Sequence, residues 1–187
     1  MPTDQNTQQI FDLIFPKEIG HRIFAYMPSN GSNSPQKYTD FWKGISDKYD
    51  AEFRFIDNTS SDESEKNKLL GSNILLITGG NTFSLLNNLR QSGLDKTIKE
   101  FSNKDTYILA GFSAGAIILS PTIEICNLPG YDENLVGIID LKGLNIIDIE
   151  VFPHFEESDR QTLEKYRSQT ENQVREISND DYIVLDK

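Results

Sequence analysis

Apolar residues in this chain come in short unbroken runs, and between the runs their spacing becomes helical. Arg22–Met27, Glu52–Ile56, Asn73–Thr78, Thr106–Ala110 and Ile146–Phe152 read as strands, short and apolar with little alternation. Between them, Tyr38–Tyr49 places Phe41, Ile45 and Tyr49 at helical spacing, and Thr82–Ser92 carries Phe83, Leu86 and Leu89 on one stripe before Gly93, a predicted C-cap. Leu94–Asn103 continues as a further helix, and Ala114–Leu119 is a helical segment stopped by Pro121. Ile10–Phe15 reads as the end of an amphipathic helix closed by Pro16, and Asn58–Lys68 is a polar connection with room for a helix. Toward the end, Arg160–Ile177 reads as one long polar helix and Tyr182–Leu185 as a last strand. Strands without alternation are buried on both faces, which a parallel sheet between two helical layers provides. The expected fold is therefore one three-layer α/β/α domain over residues 1–187, with a mainly parallel sheet.

Composition narrows the function. The net charge of −11 repels phosphate backbones, and no basic stripe interleaved with aromatics offsets it, so nucleic acid is not an expected partner. The longest apolar runs, around Ile74–Ile77 and Ala116–Leu119, fall far short of the roughly 20 residues of a spanning helix. Met1–Gln9 is polar and lacks a basic-then-apolar leader, so a cytoplasmic location without membrane contact is expected. The single cysteine, Cys126, excludes an internal disulfide and a cysteine-rich zinc site.

The sharpest local feature is Gly111-Phe112-Ser113-Ala114-Gly115, preceded by a strand and followed by a helix. In that setting G-x-S-x-G is a nucleophile elbow: the glycines permit a turn so tight that the serine projects, and the small Ala114 and Ala116 let the helix pack close. A serine needs a base, and the chain has only His21 and His154. Ligands of parallel sheets bind beyond the carboxyl ends of the strands. His21 precedes its strand and falls at the other end, whereas His154 follows Ile149–Pro153 and shares the rim with Ser113. Gly79-Gly80-Asn81-Thr82 also ends a strand there and opens a helix. Its N–H groups suit a phosphate or an oxyanion; it is too short for a G-x-x-x-x-G-K-[ST] loop and lacks the lysine. With a nucleophile on the same rim, Gly79 and Gly80 are expected to supply part of an oxyanion hole, completed by the N–H of Ala114.

With these pieces in place, the chain resembles peptidase E, the S51 family of serine peptidases. The resemblance rests on Ile77-Thr-Gly-Gly-Asn-Thr-Phe-Ser-Leu-Leu86, Gly111-Phe-Ser-Ala-Gly-Ala116 with Pro121-Thr-Ile123, and Phe152-Pro-His-Phe155, and it runs from about Ile10 to about Leu185. It implies a flavodoxin-like or class I glutamine-amidotransferase-like fold, with Ser113 as nucleophile and His154 as base. It implies no metal or cofactor, a small peptide substrate, and a monomer or homodimer. The implied activity is hydrolysis of short peptides, dipeptides with an N-terminal aspartate among them. Asn81 and Thr82 are the expected substrate-binding residues of the Gly-Gly turn, and Arg160 matches the arginine that reads the aspartate side chain.

The position where the family often carries an acid is Leu128 here, so Asp186 is the expected third catalytic residue, with Asp132 and Asp140 as second choices. Relatives begin with an apolar strand and end with a further hairpin, and the domain read here lacks both. Two other readings stay open: a catalytically impaired homologue acting as a binding module, and another Ser-His hydrolase of esterase type.

Overall fold

The computed structural model describes residues 4–186. In chain order the elements are α1 (Asp4–Ile14), β1 (Arg22–Met27), α2 (Gln36–Lys48), β2 (Ala51–Phe55), α3 (Glu63–Leu70), β3 (Ile74–Ile77), α4 (Thr82–Ser92), α5 (Leu94–Phe101), β4 (Ile108–Gly111), α6 (Ala114–Ile117), β5 (Ile149–Pro153), α7 (Arg160–Arg167) and β6 (Gln173–Ile177). Four strands form a parallel sheet in the order β2-β1-β3-β4, and β5 and β6 form a separate parallel pair.

Alternation along the strands sorts side chains to the two faces. Phe24, Tyr26, Ile74 and Leu76 pack with Ile14, Phe15, Trp42 and Ile45 of the α1 and α2 layer. Ala25, Met27, Leu75 and Ile77 pack with Leu69, Phe83, Leu86, Ile98 and Ile117 of the layer formed by α3 to α6. Both faces are covered, which makes this a three-layer α/β fold and explains why β3 is buried at every position. Local chemistry marks the helix ends: Asp62 caps α3 by accepting from the Ser64 N–H at 2.8 Å, and Asn81 caps α4 by accepting from Ser84 at 2.9 Å. The α4 helix closes at Gly93 in a left-handed conformation, φ 78°. No helix among the described residues is long and apolar enough to cross a membrane.

The C-terminal part departs from expectation. Arg160–Ile177 is not one helix: α7 stops at Arg167, and Gln173–Ile177 pairs with β5 over the full register Ile149↔Gln173 to Pro153↔Ile177. The pairing satisfies the backbone groups of buried β5 that a continued helix would leave unbonded. The turn between α7 and β6 is tied down by Arg167, which donates to the Val174 carbonyl at 2.9 Å and to the Glu176 carboxylate. Tyr182–Leu185 forms no strand, and Tyr182, Val184 and Leu185 are exposed.

A buried carboxylate anchors this region. Glu150 in β5 is 1% exposed and accepts from Thr122 Oγ1 at 2.8 Å, Asn172 Nδ2 at 2.7 Å and the Tyr166 hydroxyl at 2.6 Å. Burial, and then the carboxylate itself, push the Tyr166 phenol above its ordinary range, so it stays a donor. Three donors from three separate segments thus converge on one strand.

On the other side, α6 lies hard against the end of β3. A methyl group at Gly115 would fall 2.1 Å from the Ile77 carbonyl oxygen. Gly115→Ala is expected to destabilise the protein by about 1–3 kcal/mol through overpacking, measured as a lower urea midpoint at unchanged slope.

Candidate active site

Ser113 occupies the sharp turn between β4 and α6, with φ 54° and ψ −119°. Positive φ is costly for a residue with a Cβ, about 1–3 kcal/mol, and persists only where the surroundings enforce it. Here Phe112 donates to the Ile77 carbonyl at 2.9 Å, and the N–H groups of Gly115 and Ala116 return to the carbonyls of Phe112 and Ser113. The Phe112 ring packs on Trp42 at 5.7 Å between centroids, fixing the turn from the opposite face of the sheet.

His154 follows directly on β5, also with positive φ (59°). Its Nε2 lies 2.8 Å from Ser113 Oγ. Its Nδ1 lies 2.5 Å from Asn179 Oδ1. An amide oxygen only accepts, so Nδ1 carries the proton and Nε2 presents its lone pair to the serine hydroxyl. This is the tautomer in which a histidine can take a serine proton.

Asn179 therefore stands where a carboxylate was expected. Asp186 is exposed in the irregular segment beyond β6 and makes no hydrogen bond to His154 among the described residues. Asp132 is bonded to the Thr82 N–H, Asp140 pairs with Arg90 at 3.4 Å, and Leu128 packs on the core. The reason is the strand β6. Parallel pairing of β5 and β6 delivers the residues after both strands side by side, and the Phe155 N–H bonds the Ile177 carbonyl at 3.0 Å. Read as a helix, the same segment gives no signal for Asn179. Read as a strand beside β5, it puts Ser178–Asp181 next to His154. The second histidine, His21, is exposed at the other end of the sheet, 4.0 Å from Glu52.

The Gly-Gly turn lies against Ser113. A methyl group at Gly79 would meet Ser113 Cβ at 2.8 Å and Oγ at 3.3 Å, so only glycine allows this approach. Ser29 Oγ donates to the Gly79 carbonyl at 2.8 Å and holds the turn. Among the described residues the N–H groups of Gly80 and Ala114 form no hydrogen bond. Asn81 is committed to structure: its Oδ1 caps α4 and its Nδ2 donates to the Glu133 carbonyl at 2.8 Å.

A cavity of about 380 Å³ opens beside Ser113 and His154, lined also by Gly80, Thr82, Ile117, Tyr131, Asp132, Pro153 and Asp159. Tyr131 donates to the Pro153 carbonyl at 3.1 Å, and burial pushes its phenol up, with Asp159 adding to the effect. Cys126 beneath is pushed up to about 12, mainly by burial, and stays a thiol. Arg160 is not among the lining residues. Its guanidinium bonds Glu157 at 3.0 and 2.8 Å, approaches Glu176 at 3.6 Å and lies 4.8 Å from the centre of the Phe155 ring. Tyr131 and Asp159 carry no sequence motif and reach the cavity only through the fold.

The model of peptidase family S51 matches residues 3–187. The chain belongs to peptidase family S51. An uncharacterized peptidase of Listeria monocytogenes is 33% identical over 124 residues, covering 63% of this chain and 58% of that protein. Peptidase E of Nostoc sp. is 28% identical over 170 residues, or 90% of this chain and 62% of the relative. The chain thus spans less than two thirds of the length of these relatives. A crystal structure of a protein assigned to peptidase E from Listeria monocytogenes superposes with a TM-score of 0.74 at 24% identity, over 96% of this chain and 88% of that one. The structure of a peptidase from an acI-B1 actinobacterium gives 0.61 at 21% identity, over 91% and 73%. Both structural likenesses establish the fold.

The neutral partner of this S51 histidine has a measurable consequence. The Asn179 amide oxygen orients the ring by accepting from Nδ1. In Asn179→Leu, which removes the acceptor, the ring N–H proton of His154 should lose its hydrogen-bonded downfield position by NMR. An unchanged position would show that residue 179 does not bond the ring in solution.

Proposed function

We propose that this S51 protein is a serine peptidase hydrolysing short peptides, with Ser113 as nucleophile, His154 as general base and Asn179 as the group that orients the base. The observation that carries the reading is the 2.8 Å approach of His154 Nε2 to Ser113 Oγ, with the opposite ring nitrogen bonded to Asn179. An amide in the third position is compatible with the role, since His-Asn pairs serve cysteine nucleophiles in the same geometry.

In this reading Ser113 Oγ bonds to the peptide carbonyl carbon while its proton passes to His154 Nε2. The resulting oxyanion lies toward the N–H groups of Gly80 and Ala114, each worth about 10²–10³ in turnover when such donors are preorganised. His154 returns the proton to the leaving amine as the C–N bond breaks, and water releases the acyl group by the same steps in reverse roles. A preference for N-terminal aspartate is the narrower form of this proposal. The one arginine expected to serve it, Arg160, is held by Glu157, Glu176 and Phe155 and does not line the cavity.

A fluorophosphonate probe should label the protein at Ser113, and Ser113→Ala or His154→Ala should lower peptide turnover by about 10⁴–10⁶-fold with the fold intact. A folded native protein that neither labels nor turns over any peptide would be a binding module instead. Turnover of esters with none of peptides would point to an esterase.

A further inference from the structure

The four strands of the main sheet end on one rim, and the segments that follow them touch in the order of the sheet, β2-β1-β3-β4. Asn58, after β2 and fully buried, donates from its amide nitrogen to the carbonyls of Pro28 at 2.7 Å and Ser29 at 3.0 Å. Ser29, after β1, is 4% exposed and donates from its hydroxyl to the Gly79 carbonyl at 2.8 Å. Gly79, after β3, lies against Ser113, after β4. Gly80 packs as closely on Ser29, where a methyl group would fall 2.0 Å from the hydroxyl oxygen. Ser29 is thus wedged against the one peptide unit that joins the two glycines.

Two successive glycines leave that unit free to turn over, because no Cβ on either side resists the rotation. Its two orientations are chemically opposite. The peptide is trans, so its C=O and N–H point opposite ways. With the carbonyl toward Ser29, the N–H faces away from it, on the side where Gly80 joins Ser113 and His154 in the cavity wall. Turned over, the unit would set a carbonyl oxygen where the oxyanion develops and repel it. We propose that Ser29 is a positioning residue for the reaction: its hydroxyl holds the Gly79–Gly80 peptide in the orientation that presents the Gly80 N–H to the oxyanion. This deepens the reading of Ser113 and His154 as nucleophile and base, and rests on it. The same hydrogen bond polarises the amide and makes its N–H a stronger donor. Asn58 acts one step further back, by fixing the backbone that carries the hydroxyl.

The test compares Ser29→Ala with native protein by two readouts. One is the rate at which the fluorophosphonate labels Ser113; the other is kcat and KM on the aminoacyl p-nitroanilide that native protein cleaves fastest. Phosphonylation and acylation both place negative charge on an oxygen facing the Gly80 and Ala114 N–H groups. Ser29→Ala should lower the labelling rate and kcat by about 10–100-fold, with KM within about 3-fold of native. The pH midpoint of labelling should stay at the native value, because His154 and Asn179 are untouched. If Ser29→Ala fails to melt cooperatively, Ser29→Cys carries the result: its thiol fills the same space as a weak donor, and both rates should fall by about 3–10-fold. A folded variant with native rates, a loss confined to KM, or a shifted pH midpoint overturns the role of Ser29, while labelling of native protein at Ser113 leaves the peptidase reading standing. Native protein that neither labels nor cleaves overturns both.

Discussion

The pairing of β5 with β6 is the interaction on which the site depends. It is a two-stranded parallel ribbon outside the main sheet, and two parallel strands alone hold together poorly. What holds it is Glu150, buried in β5 and bonded by hydroxyls and an amide from the segment after α6, from α7 and from the approach to β6. The carboxylate has no cationic partner among these contacts, and its desolvation is offset by three donors. With that register set, His154 and Asn179 emerge together and their side chains meet.

The main sheet does the same for Ser113 from the other direction. The parallel β3 and β4 end level with one another, Ile77 opposite Gly111, so the Gly79-Gly80 turn and the Ser113 turn fall on one rim. Close approach, of Gly115 to the Ile77 backbone and of Gly79 to the Ser113 side chain, converts this alignment into fixed distances. The hydroxyl and the imidazole thus come from separate sheets. Their 2.8 Å contact measures how firmly the two are packed together.

Much of this was legible in the residues. The apolar runs located five strands within a few residues of their ends, and the carboxyl-end rule separated His154 from His21. The reading failed where local pattern and tertiary pairing disagree. Gln173–Ile177 has only Val174 fully buried, so its polarity suggested a helix surface, yet it forms a strand because β5 offers it a partner. That one misreading hid Asn179 and turned attention to Asp186. The place of Arg160 outside the cavity has a related cause: Glu157 is visible three positions away, but Glu176 reaches it only once β6 folds back beside α7. Asp132 was considered as a histidine partner and instead meets the N-terminus of α4, a contact between segments 50 residues apart.

The left-handed backbone at Ser113 sets the serine at odds with the domain that holds it. A residue without a side chain would occupy that corner with less strain. The fold would therefore be more stable without this side chain at the corner, and the surplus needed to keep it there must come from packing elsewhere, from Phe112 on Trp42 and from α6 on β3. The strained corner is a load carried by the core, and loosening of those contacts would let the hydroxyl swing out of line well before the sheet itself came apart.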